Sequence, residues 1–418
     1  MNDAVLAEYR ARTPGSARFH ERATASLPGG ETRAVTSYPP YPTAIATGRG
    51  ARLTDVDGHE YVDLVNNYTS LVHGNAHPAS DEAVAECLGG GLAFASVHHR
   101  QLELAELLTA RIPSVERIRF TNSGSEAGVL AVRLARHVTG RTKVLLFDGA
   151  YHGSAPSVTS GGPGVVTVPF NDLDAAVAAL DHEFAAVLVE PFLGAGGVVP
   201  AEPAFLTGLQ ELAREHGALL VLDEVQSLRN DVHGMQATLG LDPDLTLLGK
   251  IIGGGIPIGA VGGRAELLRQ TATTVPGRLV HAGTFNGHLL AAAAGVATME
   301  ALTAEAITGL NRAAATLADQ ITAAGAAADL PVTVTRAGSV LNVHFTATAP
   351  TSAATVPTDQ ALRSTLHLAL LNAGFYTTPR GMINLSTALT EDDLAATARA
   401  YADVFRTVRR SVPALTVG

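Results

Sequence analysis

The chain has 418 residues, a formal net charge of −10, 46% hydrophobic and 16% charged residues, and 42 glycines. That length suggests two or three domains, and the composition excludes a disordered or fibrous chain. The acidic balance, with no basic stripe, argues against nucleic acid as a partner, and the single cysteine, Cys87, excludes an internal disulfide. In chain order, MNDAVLAEYRARTPG lacks the apolar centre of a signal peptide, and no apolar run is long enough to span a bilayer. A cytoplasmic protein without a membrane partner is therefore expected. AVLAEYRAR predicts a helix, followed by a polar segment ending at Pro28-Gly29-Gly30. The next stretch, ETRAVTSYPPYPTAIATGRG, is too rich in Pro, Tyr and Gly for regular structure and reads as an ordered loop carrying Arg33. Alternating residues on either side of Asp57-Gly58 predict a hairpin. From Pro78 to Ile112 the sequence is helical, with apolar residues at helical spacing in QLELAELLTARI.

A short strand containing Ile118 and Phe120 then runs into Asn122-Ser123-Gly124-Ser125-Glu126, which opens a helix. Free N–H groups and the dipole at such a start attract an anion; Ser123 and Ser125 add hydroxyls, and Gly124 permits close approach. A plain N-cap at Ser125 is the alternative. The strand KVLLF leads to Tyr151-His152-Gly153. The strand VVTVP, the helix DLDAAVAAL and the strand AAVLVEP follow, with Glu190 at the last strand's end. After the glycine loop FLGAGGVVP, PAFLTGLQELAREHG is an amphipathic helix. The repeated strand–helix–strand order predicts an α/β fold with a mostly parallel sheet and flanking helices.

The central stretch is Ala218 to Arg264. One buried strand ends on Asp223 and Glu224, and the apolar run Leu245 to Leu248 ends on Gly249-Lys250. An acid and a lysine at strand C-termini occupy the place where open α/β sheets bind ligands. The sequence has two lysines, Lys143 and Lys250, with arginine supplying the remaining positive charge. Lys143 follows a Thr-Gly-Arg-Thr turn, as a surface residue would. Lys250 stands among glycines and apolar residues, where desolvation favours a neutral, nucleophilic amine. From about Thr303 the pattern changes to helices interspersed with short strands, and ATAPTSAATVPTD reads as a flexible surface loop.

DEVQ followed by LTLLGKIIGGGIPIGAVGGR resembles the active-site segment of class III, fold-type I pyridoxal phosphate enzymes, and NSGSEA and Tyr-His-Gly resemble further motifs of that family. The likeness runs from about Leu27 to Val408. It implies the family's seven-stranded sheet, with residues 1–60 contributing to a small domain, 61–302 forming the cofactor domain and 303–418 a smaller α+β domain. It implies pyridoxal 5'-phosphate as cofactor and no metal. Lys250 would form the Schiff base, and Asp223 would pair with the ring nitrogen so that the ring can take up electrons. Ser123, Gly124 and Ser125 would cup the phosphate, Tyr151 and Val225 would cover the ring's two faces, and His152 and Glu190 would stand beside them. Glu190 is equally readable as a structural residue. Thr284 would reach the phosphate of a neighbouring subunit, which makes a homodimer the expected assembly.

GGETRAV, YPPYP, HAGTFN and TTPRG look closer to β-amino acid (β-phenylalanine type) aminotransferases than to glutamate-1-semialdehyde aminomutases. A guanidinium binds a carboxylate through two parallel hydrogen bonds, so Arg33 and Arg380 become the substrate-binding residues; surface or subunit salt bridges are the alternative. The expected reaction is ping-pong transfer of an amino group between a β-amino acid and a 2-keto acid. An aminomutase or a racemase of the same class is the alternative. DEVQSLRND lacks the family's Thr-Gly-Phe, which suggests that Ser227 to Asp231 reshape the cavity mouth.

Overall fold

The structure, a computed structural model, describes residues 2–411; Met1 and residues 412–418 of the expected C-terminal segment lie outside it. Seven strands form the central sheet: β1 Arg117–Thr121, β2 Lys143–Phe147, β3 Val165–Val168, β4 Phe184–Val189, β5 Leu219–Asp223, β6 Leu245–Gly249 and β7 Gly259–Gly263. Their spatial order is β1-β7-β6-β5-β4-β2-β3. All run parallel except β7, which is antiparallel to both neighbours. This is the mostly parallel α/β sheet that the sequence predicts.

Both faces of the sheet are covered, and the strands' period of two sorts the residues between them. Leu145, Phe147, Val187, Val189, Leu220 and Leu222 pack on one side with Phe205, Leu206 and Leu209 of the helix Pro203–His216. Val144, Leu146, Ala186, Leu188 and Val221 face the other side, against Ala127, Leu130 and Leu134 of the helix Gly124–Thr139.

The terminal segments share strands and core. The hairpin at Asp57-Gly58 forms from Arg52–Asp55 and Glu60–Asp63, and Phe375–Tyr376 runs parallel beside its second strand. Thr333–Ala337, Val340–His344 and Met382–Asn384 make a separate antiparallel sheet. A third cluster joins Val5 and Tyr9 to Leu64, Leu248, Ile251 and Phe405, so the first helix and the last described helix share a core with the residues around Lys250.

Three sequence expectations change. The polar segment after the first helix, Asp3–Arg12, contains a second helix, Pro14–Thr24, started by a proline in its first turn. The helical stretch from Pro78 to Ile112 is two helices, Pro78–Leu88 and His99–Arg111, parted after Gly89-Gly90-Gly91 because glycine weakens a helix interior. Finally, Ser227 to Asn230 is buried and turned away from the cavity. There Arg229 donates to Ser339 Oγ at 3.0 Å and to the Leu385 carbonyl, and Asn230 donates to the Ala337 carbonyl at 3.0 Å. The segment ties the chain after β5 to the C-terminal antiparallel sheet and its flanking residues, and leaves the mouth to other residues. Burial pushes the Arg229 guanidinium down to about 9.

One glycine fixes the depth of the lysine turn. Gly295, in the helix Leu289–Ala301, lies so close to the turn Lys250–Gly253 that an added Cβ would sit 2.0 Å from the Ile252 carbonyl oxygen. Gly295→Ala should therefore destabilise the chain by about 1–3 kcal/mol, the usual cost of overpacking. A lowered urea midpoint with an unchanged slope would show this; an unchanged midpoint would mean that the helix can retreat freely.

Candidate active site

Strand register gathers the chemistry at one end of the sheet. Asp223, the last residue of β5, lies opposite Leu247 of β6, three residues before Lys250. On its other side Leu222 pairs with Val189, so Glu190 follows β4 beside Asp223. From β2 the chain turns through Gly149, at φ 80°, into Tyr151 and His152. These groups sit at the C-terminal ends of parallel strands, the ligand edge of an open α/β sheet.

They line a cavity of about 300 Å³, with Ser123, Gly124, Ser125 and Val225 on its wall. His152 Nδ1 lies 2.8 Å from Asp223 Oδ2, both side chains buried, and Asp223 Oδ1 accepts the Val225 amide at 3.0 Å. Burial pushes the His152 imidazole down, but the hydrogen bond and charge of Asp223, with the charge of Glu190, outweigh it and hold the pKa above normal. Burial raises Glu190 to about 7, against the pull of His152. Its carboxylate accepts the amides of Tyr151 at 3.1 Å and Gly194 at 3.2 Å. Glu224 points elsewhere: it accepts the Met235 and Gln236 amides at 3.1 and 2.8 Å and the Ser227 hydroxyl.

Lys250 makes no hydrogen bond or ion pair with the described residues. Burial pushes its amine below the ordinary lysine pKa; Asp223 and Glu190 oppose this, and Arg33 adds to it. Its backbone is held at φ 50°, a conformation that costs a non-glycine residue roughly 1–2 kcal/mol. Lys143, by contrast, forms ion pairs with Asp181, at 3.3 Å, and with Glu183.

The helix Gly124–Thr139 opens on the cavity. Its N-cap is Ser123, not Ser125: Ser123 Oγ accepts the Glu126 amide at 3.2 Å, and its carbonyl accepts the Ala127 amide at 3.0 Å. The Gly124 and Ser125 amides precede Ala127, the first intrahelical donor, and so have no intrahelical acceptor, and the Ser125 hydroxyl is not used as a cap, so an anion can take all three. A Cβ on Gly124 would lie 3.1 Å from the Val225 methyls, so glycine keeps this wall open. Amide donors for a phosphate, a buried carboxylate for a ring nitrogen, an unengaged amine for an aldehyde, and the exposed Tyr151 ring and Val225 lining the same cavity together fit pyridoxal 5'-phosphate.

Arg33 and Arg380 flank the cavity without lining it. Arg33 Nη1 donates to Asn67 Oδ1 at 2.7 Å, and its guanidinium lies 5.4 Å from the centre of the Tyr68 ring. Arg380 Nη1 approaches the Ala195 carbonyl at 3.4 Å. Asn67 and Ala195 both line the cavity. Neither arginine has an acidic partner among the described residues, which removes the salt-bridge alternative within one chain. Thr284 stands apart from the cavity of its own chain, in a second depression with Phe94 and Asn286. Sequence reading missed the lining residues Asn67, Ser70 and Gln226. For Asn67 a signal existed: Asn66-Asn67 is a pair that tolerates left-handed backbone, just after a predicted strand.

The fold and this constellation define a class III aminotransferase. The family described as "Aminotransferase class-III" matches residues 34–162 and 164–400, and the chain belongs to it. It is 40% identical to the beta-phenylalanine transaminase of Variovorax paradoxus over 408 residues, 94% of each chain. It is also 40% identical to a glutamate-1-semialdehyde 2,1-aminomutase of Geobacillus kaustophilus, over 93% of this chain and 97% of that one. Among solved structures, an omega-transaminase from Sphaerobacter thermophilus superposes with a TM-score of 0.92 at 40% identity, covering 96% of this chain and 99% of that one. A transaminase with bound pyridoxal phosphate superposes at 0.90 with 33% identity, covering 96% and 99%. The chain is thus a fold-type I transaminase whose cofactor is pyridoxal 5'-phosphate.

Proposed function

We propose that this enzyme moves an amino group between a β-amino acid and a 2-keto acid by ping-pong exchange. The observation that carries this reading is the pair of acid-free guanidiniums, Arg33 and Arg380, beside a cavity holding an unengaged lysine amine. One binds the carboxylate of the β-amino acid and the other the α-carboxylate of the keto acid, each through a two-pronged hydrogen bond. Pyridoxal phosphate, when bound, supplies an electron sink for the bond to hydrogen on the amine-bearing carbon. The Gly124 and Ser125 amides with the Ser123 and Ser125 hydroxyls hold its phosphate. Tyr151 and Val225 would cover its ring, and Asp223, braced by His152, would keep a proton on the ring nitrogen, with Glu190 supporting this group. Lys250 would hold the cofactor's aldehyde through its amine, and that amine, when free, would take up and return the proton of the amine-bearing carbon.

The same reading makes the enzyme a cytoplasmic homodimer in which Thr284 reaches the partner's phosphate. The exposed apolar side chains Val97 and Phe285, in the segments around Thr284, support such a contact. It divides each chain into the cofactor domain 61–302 and a small domain built from 1–60 and 303–418.

A panel of amine donors against pyruvate and 2-oxoglutarate, read by cofactor absorbance, tests the reaction. β-Amino acids should convert the aldehyde form to the amine form. Arg33→Ala should raise their KM roughly 10- to 100-fold, the value of a charged hydrogen-bond pair. No spectral change with any β-amino acid would defeat the reading. The likeness to the aminomutase supports a second one, intramolecular amino transfer, which would appear as turnover of a diamino or semialdehyde substrate without any keto acid.

A further inference from the structure

Beside the cavity the chain makes a single left-handed turn, Asn66–Thr69, whose four successive non-glycine residues have φ of 47°, 47°, 55° and 75°. Asparagine tolerates this backbone; tyrosine and β-branched threonine do not, and a run of four persists only where the surroundings over-determine it. The Asp63 carboxylate accepts the amides of Val65 and Asn66, each at 2.9 Å. The Asn66 side chain, fully buried, donates to the Asn384 carbonyl at 2.6 Å, and Asn384 donates back to the Val65 carbonyl at 2.9 Å. The turn is locked from below.

Its upper side is a seat for one guanidinium. Asn67 Oδ1 accepts Arg33 Nη1 at 2.7 Å while Asn67 Nδ2 donates to Ser70 Oγ at 2.9 Å, so the side-chain amide is held with its oxygen toward the arginine. The Tyr68 ring lies 5.4 Å beneath the same guanidinium, and its hydroxyl donates at 2.9 Å to the carbonyl of Val35, in the loop that carries Arg33. Both partners are uncharged. They direct Arg33 without neutralising it, whereas a carboxylate at position 67 would form an ion pair and compete with substrate.

We propose that Asn67 is a positioning and specificity-determining residue: it aims Arg33 at an incoming carboxylate and, because it is neutral, leaves that charge available. Position 67 thereby sets the preference for carboxylate-bearing donors over simple amines. This rests on the reading of Arg33 given above.

Asn67→Asp keeps the shape, the acceptor facing Arg33 and the tolerance for a left-handed backbone; it adds a charge and gives up the donor to Ser70 Oγ, whose hydroxyl can turn to donate to the carboxylate instead. The cofactor-loaded enzyme is mixed with 3-amino-3-phenylpropanoate or with 1-phenylethylamine, without keto acid, and the half-reaction is followed by absorbance. A donor that does not turn over is scored as a competitor, so both binding constants are measured. Asn67→Asp should weaken the carboxylated donor at least about tenfold, with its limiting rate nearly unchanged, and leave the simple amine within about twofold. Asn67→Ser, neutral and able to donate and accept, should restore most of the preference. Equal effects on both donors, or none on either, would overturn the role of Asn67. Arg33→Ala separates the two claims. If it weakens the carboxylated donor while Asn67→Asp does not, only the positioning role falls; if it changes nothing, the Arg33 reading falls as well.

Discussion

Lys250→Ala should lower transamination by roughly 10⁴-fold, because one amine is assigned both the link to the cofactor and the proton shuttle. No other lysine can substitute: Lys143 is tied to Asp181 and Glu183 on the surface, and Lys143→Ala should leave activity intact. Lys250 is unengaged, and burial keeps its pKa below the ordinary lysine value, so a larger neutral fraction is ready to attack. The residues proposed to hold the phosphate and cover the ring, and Asp223, remain in the variant, so cofactor should still bind but lose the absorbance of its lysine-linked form. The measurements are single-turnover rate and visible spectrum on the same sample. Retention of more than about a tenth of the activity would remove Lys250 from the mechanism.

The sheet was legible in the sequence because its strands are buried on both faces and read as unbroken apolar runs, as in ALLVLDE and LTLLGK. Strand ends then told where Asp223, Glu190 and Lys250 stand, since a parallel sheet puts its ligand edge there. The direction of each side chain was less legible. Asp223 and Glu224 are adjacent acids of similar chemistry; only the pleat sends one to His152 and the cavity and the other to the Met235 and Gln236 amides. Ser123 and Ser125 posed the same problem, which the helix start decided in favour of Ser123 as cap. Residues brought in from distant chain could not be read at all. Asn67 meets Arg33 across 34 positions, through a turn whose left-handed backbone depends on Asn384, more than three hundred positions away. The burial of Arg229 was equally hidden, because its partners Ser339 and Leu385 flank strands of the C-terminal sheet, more than a hundred positions away.

Asp223→Asn is the companion test, and it removes charge without removing shape. The carboxylate supports two protons in the proposed reading, one on His152 and one on the cofactor's ring nitrogen. For His152 the sign follows from the balance of causes. Burial pushes its pKa down, and the Asp223 bond and charge, with the Glu190 charge, lift it; asparagine still offers an acceptor but no charge, so the lift weakens and the imidazole pKa falls. An NMR titration of His152 should show a lower pKa in the variant than in the parent enzyme, and an unchanged pKa would detach the Asp223 charge from His152. In the same reading the ring nitrogen would lose its counter-charge, so the electron sink weakens and kcat should drop about 10²- to 10⁴-fold, while cofactor affinity, assigned mainly to the Ser123–Ser125 corner, changes less. An N-methylated cofactor carries a fixed positive charge on that nitrogen and needs no proton there. It should recover part of the lost rate in Asp223→Asn but none in Lys250→Ala, and failure of that contrast would detach Asp223 from the ring nitrogen.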